Sequence, residues 1–160
     1  MRILSALFFC LMLGACGFHL RGAGDPGSLS FTTVSIEGEG AVAQNLRKYL
    51  GNYRGIELVS QGAETVIRIT DTQYSKDVLS VNNAGRVAEY RLNYRISFSA
   101  THQGEPVLEN GTLRLSRTLT WDENSLLSKE SEEATLVRDM QNDVVPQVLR
   151  RVSALVKKAK

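Results

Sequence analysis

Between residues 90 and 100 the side chains alternate strictly between apolar and polar. The apolar positions are Tyr90, Leu92, Tyr94, Ile96, Phe98 and Ala100. A period of two sustained over this run predicts a β-strand with one apolar and one polar face. A second alternation between residues 113 and 121 predicts the next strand, although Arg117 interrupts its apolar face. The Arg117 side chain would have to reach the sheet edge or pair with a buried acid.

Further strands are predicted upstream of this pair. The Thr-, Val- and Ile-rich run 31–37 indicates one strand, and a stronger one is expected near 65–76, with a continuation through Val81 left open. Residues 56–59 are consistent with a short strand. Turn-forming residues mark 82–85 and 103–106, and we interpret Asn110-Gly111-Thr112 as another hairpin turn.

Two segments show the helical spacing of apolar residues. The first covers residues 41–53 and the second runs from about 131 to 158. Pro146 lies inside the second segment and should kink the helix or divide it in two. Residues 122–129 are interpreted as a polar loop that precedes this helix.

The order β-α-β-β-β-α predicts an α+β fold in which residues 31–160 form a single domain. Strands joined by short turns should pair antiparallel. We expect a two-layer sandwich of about four mostly antiparallel strands, with two helices packed on one face. The other face would be polar and basic, carrying Arg91, Arg95 and Arg114.

The N-terminal residues have the layout of a secretory signal peptide. A short basic start precedes an apolar run, and small residues then lead to Cys16. The sequence Leu13-Gly14-Ala15-Cys16 resembles the bacterial lipobox, which implies cleavage after residue 15 and lipidation of Cys16. A plain secretory peptide with an incidental cysteine is the alternative. Residues 16–30 would then be an extended tether, and Gly17 in place of aspartate favours the outer membrane.

Composition narrows the possible functions. The chain has 160 residues, 42% of them hydrophobic and 22% charged, which suits one packed domain. A formal net charge of +2 argues against nucleic-acid binding through bulk charge. The apolar run near the N-terminus is shorter than the roughly 20 residues that cross a bilayer, so the only expected membrane attachment is the lipid.

No arrangement of residues points to an enzyme. Gly38, Gly40 and Ala43 fit a permissive dinucleotide-binding fingerprint, but the hairpins that follow do not repeat the βαβ unit that this site requires. His19 and His102 are far apart and have no metal-ligand spacing. We therefore expect no catalytic residues, no metal and no cofactor.

Basic residues concentrate on the predicted central strands and the loop that follows them. They are Arg86, Arg91, Arg95, Arg114, Arg117 and Lys129. Because a guanidinium group binds phosphate and carboxylate through a planar fork, these residues could meet an anionic lipid or an acidic partner. An ordinary solvated sheet face remains the alternative.

The run Cys16-Gly17-Phe18-His19-Leu20-Arg21-Gly22 resembles the start of mature proteins of the LptE family, the lipopolysaccharide-assembly lipoproteins of Gram-negative outer membranes. Ala88-Glu89-Tyr90, which opens a long strand after an Asn/Gly turn, is also similar. The resemblance implies a plug inside the lumen of the LptD outer-membrane β-barrel, where the two proteins insert lipopolysaccharide into the outer leaflet.

By position, the resemblance implies lipopolysaccharide contacts at Arg86 and Lys129, and we add Arg91 and Arg95 as candidates from the basic face. A stand-alone periplasmic lipoprotein that binds or ferries an anionic lipid or glycan is the alternative function. A periplasmic enzyme is a third, for which the sequence offers no catalytic group.

Overall fold

The computed structural model of the chain describes residues 29–159. The predicted signal peptide, Cys16, His19 and nearly all of the predicted tether lie outside the described residues. The elements follow in the order β1 (Thr33–Glu37), α1 (Ala41–Gly51), β2 (Glu57–Leu58), β3 (Thr65–Val81), β4 (Val87–His102), β5 (Glu105–Thr120), a 3₁₀ turn (Glu123–Ser125) and α2 (Leu126–Ala159).

The strands form one mixed sheet in the order β2-β1-β3-β4-β5. Strands β3, β4 and β5 are antiparallel, whereas β1 runs parallel to both β2 and β3. The α+β prediction is confirmed, with five described strands where about four were expected. The parallel part arises because α1 separates β1 from β2, and a crossover of that kind returns the chain in the same direction.

Strand β4 lies between two long neighbours and carries the centre of the core. Leu92, Ile96 and Phe98 are at most 1% exposed, and their polar neighbours along the strand point to the other side of the sheet. The predicted alternation is confirmed. Both helices pack on the apolar face through residues spaced three or four apart, namely Val42, Leu46, Leu50, Met140, Val144, Val148, Val152 and Val156.

The polar loop predicted for 122–129 is wrong at its second half, because α2 begins at Leu126. The side chain of Asp122 accepts a hydrogen bond from the backbone N–H of Asn124, which starts the 3₁₀ turn that leads into the helix. Lys129 therefore lies in the first turns of α2. Pro146 lies within α2 and does not divide the helix.

The hairpin turn predicted at Asn110-Gly111-Thr112 is also wrong, since these residues lie inside β5. Gly111 is buried opposite Phe98, and a Cβ atom there would lie 3.0 Å from the Phe98 ring and 2.6 Å from Leu108 Cδ2. The glycine makes room for the aromatic ring. The β4–β5 turn is formed instead at Gln103 and Gly104, inside the predicted 103–106 segment.

Gly38, which belongs to the fingerprint discounted above, has a packing role. Its φ is +100°, and a Cβ atom would lie only 2.5 Å from the carbonyl oxygen of Ile69 in β3. The Arg47 guanidinium of α1 donates hydrogen bonds to the carbonyls of Ile36 and Gly38, at 3.0 and 2.8 Å. The turn between β1 and α1 is thus held against β3 and the helix.

We predict that Gly38→Ala lowers the free energy of unfolding by about 2 kcal/mol or more, because it adds backbone strain and a clash with β3. Gly51→Ala is the matched control, since a Cβ atom at Gly51 meets nothing within 4 Å. The control should change stability by less than about 1 kcal/mol. Urea unfolding of the purified protein measures both, and equal effects would contradict the packing role.

Candidate functional site

One end of the molecule exposes four aliphatic side chains. Val78 and Val81 belong to β3, while Leu126 and Leu127 open α2, and they are exposed by 49 to 81%. The two segments meet through an ion pair in which Arg86 Nη1 lies 3.5 Å from Glu123 Oε2. We call the group Val78, Val81, Arg86, Leu126, Leu127 and Lys129 the hairpin end.

The two cations of the hairpin end flank the segment 122–125. Arg86 follows a turn in which Asn82 Oδ1 accepts hydrogen bonds from the backbone N–H groups of Ala84 and Arg86. Lys129 Nζ lies 2.9 Å from Glu132 Oε2. The backbone N–H of Asn124 is the main cause that lowers the pKa of the Asp122 carboxyl, and the charge of Lys129 adds to it.

A cluster of aromatic residues around a lysine fastens α2 to the sheet next to the hairpin end. Lys76 Nζ lies 4.3 Å from the ring centroids of both Tyr90 and Trp121, which pack edge to face at 5.2 Å. The same Nζ atom lies 2.6 Å from Glu133 Oε2 of α2, and the Tyr74 hydroxyl donates to Glu133 Oε1 at 2.6 Å. We call these five residues the lysine cluster.

Sequence reasoning missed the lysine cluster, although a signal was present. Tyr74, Lys76 and Val78 continue the period of two along the inner face of β3, past an irregularity in pairing between Ile69 and Asp71. A lysine at such a position requires a partner. Glu133, four residues before the apolar position Val137, supplies it.

The ionisation of the lysine cluster follows from its contacts. Burial raises the pKa of the Tyr74 hydroxyl, and its hydrogen bond to Glu133 raises it further. Burial also raises the pKa of Glu133, but the hydrogen bonds from Lys76 and Tyr74, with the charge of Lys76, outweigh this effect. The pKa of the Glu133 carboxyl therefore lies below its ordinary value of 4.5.

The helix-free side of the sheet forms a second candidate surface, which we call the outer face. Its side chains over a shallow depression of about 690 Å³ are Gln73, Ser75, Asn93, Arg95, Arg114 and Ser116. Arg91 lies farther along the same face, opposite Asp77 and Thr118. The four residues predicted to contact lipopolysaccharide thus lie on two surfaces. Arg86 and Lys129 belong to the hairpin end, and Arg91 and Arg95 belong to the outer face.

The contact of Arg117 with α2 explains how a charged residue is accommodated on the apolar face of β5. Its Nη2 atom lies 2.6 Å from Asp143 Oδ2 of α2, and both side chains are nearly half exposed. The prediction that Arg117 reaches the sheet edge is confirmed, while the alternative of a buried acid is wrong. The pair joins β5 to α2 at its solvent-exposed border.

His102 is buried at the end of β4, where its Nδ1 atom lies 3.0 Å from Thr65 Oγ1 and its Nε2 atom 3.5 Å from Glu64 Oε1. Residues 29–159 contain no group of three or more side chains placed to hold a metal ion. Over the same residues, no helix combines the length and the apolarity needed to cross a membrane.

A cavity of about 820 Å³ lies between the C-terminal half of α1 and the middle of α2. Tyr49, Tyr53 and Pro146 supply its apolar lining, and Lys48 and Arg54 lie at its border. The rings of Tyr49 and Tyr53 are tilted against each other at 5.9 Å. None of the basic residues predicted from the sequence lines this cavity.

The fold is similar to solved structures of small bacterial lipoproteins. An uncharacterized lipoprotein B from Nitrosomonas europaea matches with a TM-score of 0.73 and 30% identity, over 88% of this chain and 93% of that one. The rare lipoprotein B from Shewanella oneidensis matches with a TM-score of 0.69 and 20% identity, over 77% of this chain and 95% of that one. The architecture is thus that of an α+β lipoprotein.

Sequence comparison identifies the family within this class. Residues 29–152 match the sequence model of the LptE family, described as lipopolysaccharide-assembly. The LPS-assembly lipoprotein LptE of Photorhabdus laumondii is 24% identical over 162 residues, covering 94% of this chain and 85% of that protein. The chain belongs to the LptE family, and the family predicted from its sequence is confirmed.

We predict that the Glu133 carboxylate makes the stability of the fold depend on acid. Because its pKa is lower in the folded state than its ordinary value of 4.5, the stabilisation is present above that pH and is lost as pH falls through the folded value. Glu133→Gln should lower the free energy of unfolding at pH 7 by about 1–2 kcal/mol and should flatten the pH dependence below about pH 5.

Urea midpoints between about pH 3 and pH 7 measure this effect. Glu130→Gln is the control on the same helix, because no hydrogen bond or ion pair joins the Glu130 side chain to another residue of 29–159. The control should change stability at pH 7 by less than about 0.5 kcal/mol. Parallel pH profiles of the wild type and Glu133→Gln would contradict the prediction.

Proposed function

We propose that this chain is an outer-membrane lipoprotein that occupies the lumen of a large β-barrel of the LptD type. In this proposal it helps the barrel assemble, binds lipopolysaccharide, and takes part in its insertion into the outer leaflet. Membership of the LptE family supports the role in lipopolysaccharide assembly. The observation that carries direct binding is that exposed aliphatic side chains lie at the same end of the molecule as the exposed Arg86 and the half-buried Lys129.

The chemistry of the hairpin end matches an amphiphilic anion. Lipopolysaccharide carries acyl chains and phosphate groups on a sugar backbone. Val78, Val81, Leu126 and Leu127 offer apolar surface whose burial is favourable, by about 25 cal/mol for each Å² removed from water. Arg86 and Lys129 supply the charges that a phosphate group requires next to that surface.

The ion pair of Arg86 is open to exchange, whereas the Lys129 side chain is only 19% exposed. Arg86 and Glu123 are both more than half exposed, and exposed pairs of this kind stabilise a protein by about 0–1 kcal/mol. A phosphate group offers more negative charge and more acceptor oxygens than the single carboxylate it would displace. The hairpin end can therefore exchange an internal partner for a ligand at little cost.

The outer face supports the barrel part of the proposal. Both described helices cover the opposite side of the sheet, so within residues 29–159 no helix covers the polar side of β3, β4 and β5. The interior of an outer-membrane barrel is polar. A polar sheet face can lie against such a wall without exposing apolar side chains to the water-filled lumen.

Lipidation of Cys16 is part of the proposal and accounts for attachment to the membrane. Thioether-linked diacylglycerol and an acylated N-terminus would add the two hydrophobic signals that stable anchoring needs. Intact mass of the protein isolated from membranes should show a chain that starts at Cys16 and carries three acyl groups. Cys16→Ala should remove these groups and release the protein from the membrane fraction, and an unlipidated wild-type chain would contradict the proposal.

The test of the whole proposal is a tagged pull-down from detergent-solubilised outer membranes, with proteins identified by mass and lipopolysaccharide quantified. We expect one large β-barrel in equal stoichiometry, together with lipopolysaccharide. The double substitution Arg86→Ala and Lys129→Ala should reduce bound lipopolysaccharide by at least about tenfold, since two charge-assisted contacts are lost. Barrel retention should be unchanged.

The control is Lys157→Ala with Lys158→Ala, which removes the same charge at the opposite end of α2. It should leave lipopolysaccharide binding within about twofold of the wild type. Unchanged binding in the Arg86 and Lys129 variant would remove these residues from the site. Absence of any barrel in the wild-type sample would favour a stand-alone lipoprotein that binds an anionic lipid or glycan.

A further inference from the structure

Two arginines of the outer face lie directly opposite each other on neighbouring strands. Arg95 of β4 is paired in register with Arg114 of β5, and both side chains point away from the helices. Directly opposed like charges destabilise a sheet. A pair of this kind in the middle of two 16-residue strands therefore requires an explanation.

No ion pair joins either arginine to an acid of the described part of the chain, although Asp71 of β3 lies on the same face in register with Ser97. The Arg114 side chain has no hydrogen-bond or ion-pair partner among residues 29–159. Arg95 donates from Nη2 to the neutral Gln73 amide oxygen, and its Nε atom is buried without a hydrogen-bond partner. Asp77, an acid on the neighbouring strand, is bound to Asn93 at 2.8 Å and is in register with Arg91.

The side chains around Arg95 and Arg114 favour a protein carboxylate over an acylated lipid as the ligand of this pair. The depression around Arg95 and Arg114 is lined by neutral hydrogen-bonding side chains, and the outward positions of 91–99 and 112–118 are all polar. The exposed aliphatic residues lie instead at the hairpin end. An acylated lipid would find no exposed aliphatic side chain here, whereas a carboxylate on a polar protein surface would meet two guanidinium forks.

We infer that Arg95 and Arg114 form a receptor for an acidic side chain of the protein that lies against the outer face. Gln73 holds Arg95 in place, and an incoming carboxylate accepts hydrogen bonds from both guanidinium groups. This inference rests on the proposed barrel partner. It adds a defined contact, in which a charge pair that is unfavourable in the free protein becomes neutralised in the complex.

The first experiment uses the isolated protein and does not depend on the partner. Arg114→Gln should leave the urea midpoint at low ionic strength unchanged or raise it, because it removes an uncompensated charge. The matched control is Arg117→Gln on the same strand, which breaks the 2.6 Å pair with Asp143 and should lower the midpoint. A midpoint lowered equally by both substitutions would show that Arg114 is already neutralised, and would overturn the inference.

The second experiment places a photoreactive amino acid at Ser116, within the depression, in the membrane-bound complex. We expect a crosslink to a barrel peptide that contains Asp or Glu, with a yield that falls at least fivefold in Arg114→Glu. Replacing the crosslinked acid by Arg should restore the yield in Arg114→Glu. A crosslink to lipopolysaccharide would reassign the site to the glycolipid.

The remaining outcomes separate this inference from the proposed function. If the barrel co-purifies but Ser116 does not crosslink to it, the outer face does not meet the barrel and the inference is wrong while the function stands. If no barrel co-purifies with the wild type, the proposed function fails and the inferred partner fails with it. The behaviour of Arg114→Gln in the isolated protein then still decides whether the arginine pair is uncompensated.

Discussion

One-sided burial of β4 is the constraint on which the other features depend. Leu92, Ile96 and Phe98 are sealed beneath the helices, and the alternation of a strand then forces Asn93 and Arg95 to the opposite side. A slip of one residue in the pairing would exchange the two sides completely. The core therefore defines the register, and the register defines which basic residues share a surface.

The two candidate surfaces follow from where the helices lie relative to this strand. Both helices pack on the apolar side, so the arginines on the other side remain open to a partner. Helix α2 packs on β4 and β5, and its contact with α1 includes the hydrogen bond between Asn45 and Asn142. Lys76 and Glu133 hold it to β3, and this places Lys129 beside the segment 122–125, which Arg86 also contacts.

The sequence predicts the elements in which buried residues recur at a regular spacing. The alternation at 90–100 and the helical spacing in α2 are visible because burial repeats with the period of each element. The start of α2 escapes prediction, because Leu126 and Leu127 are exposed and carry no such period. Gly111 led to a wrong prediction, because glycine is common in turns. Here it lies inside a strand, where its missing side chain leaves room for the Phe98 ring.

The candidate site is predictable only as separate residues. Arg86 and Lys129 are basic residues outside the core pattern, but their placement beside the segment 122–125 depends on the Asp122 turn and on the anchoring of α2. The pairing of Arg95 with Arg114 depends on the turn at Gln103 and Gly104, because its length sets which residues face each other. Such contacts join residues of different elements, and the apolar and polar pattern within one element does not show them.

The short reach of β1 divides the molecule into regions of unequal resistance to opening. β1 pairs with β3 only over Thr65–Arg68, so beyond that point the sheet narrows to three strands covered by one helix. Amide hydrogens at this narrow end should exchange through sub-global openings of lower free energy than those of the core. The end that carries the aliphatic and cationic side chains can therefore rearrange while the five-stranded core stays folded.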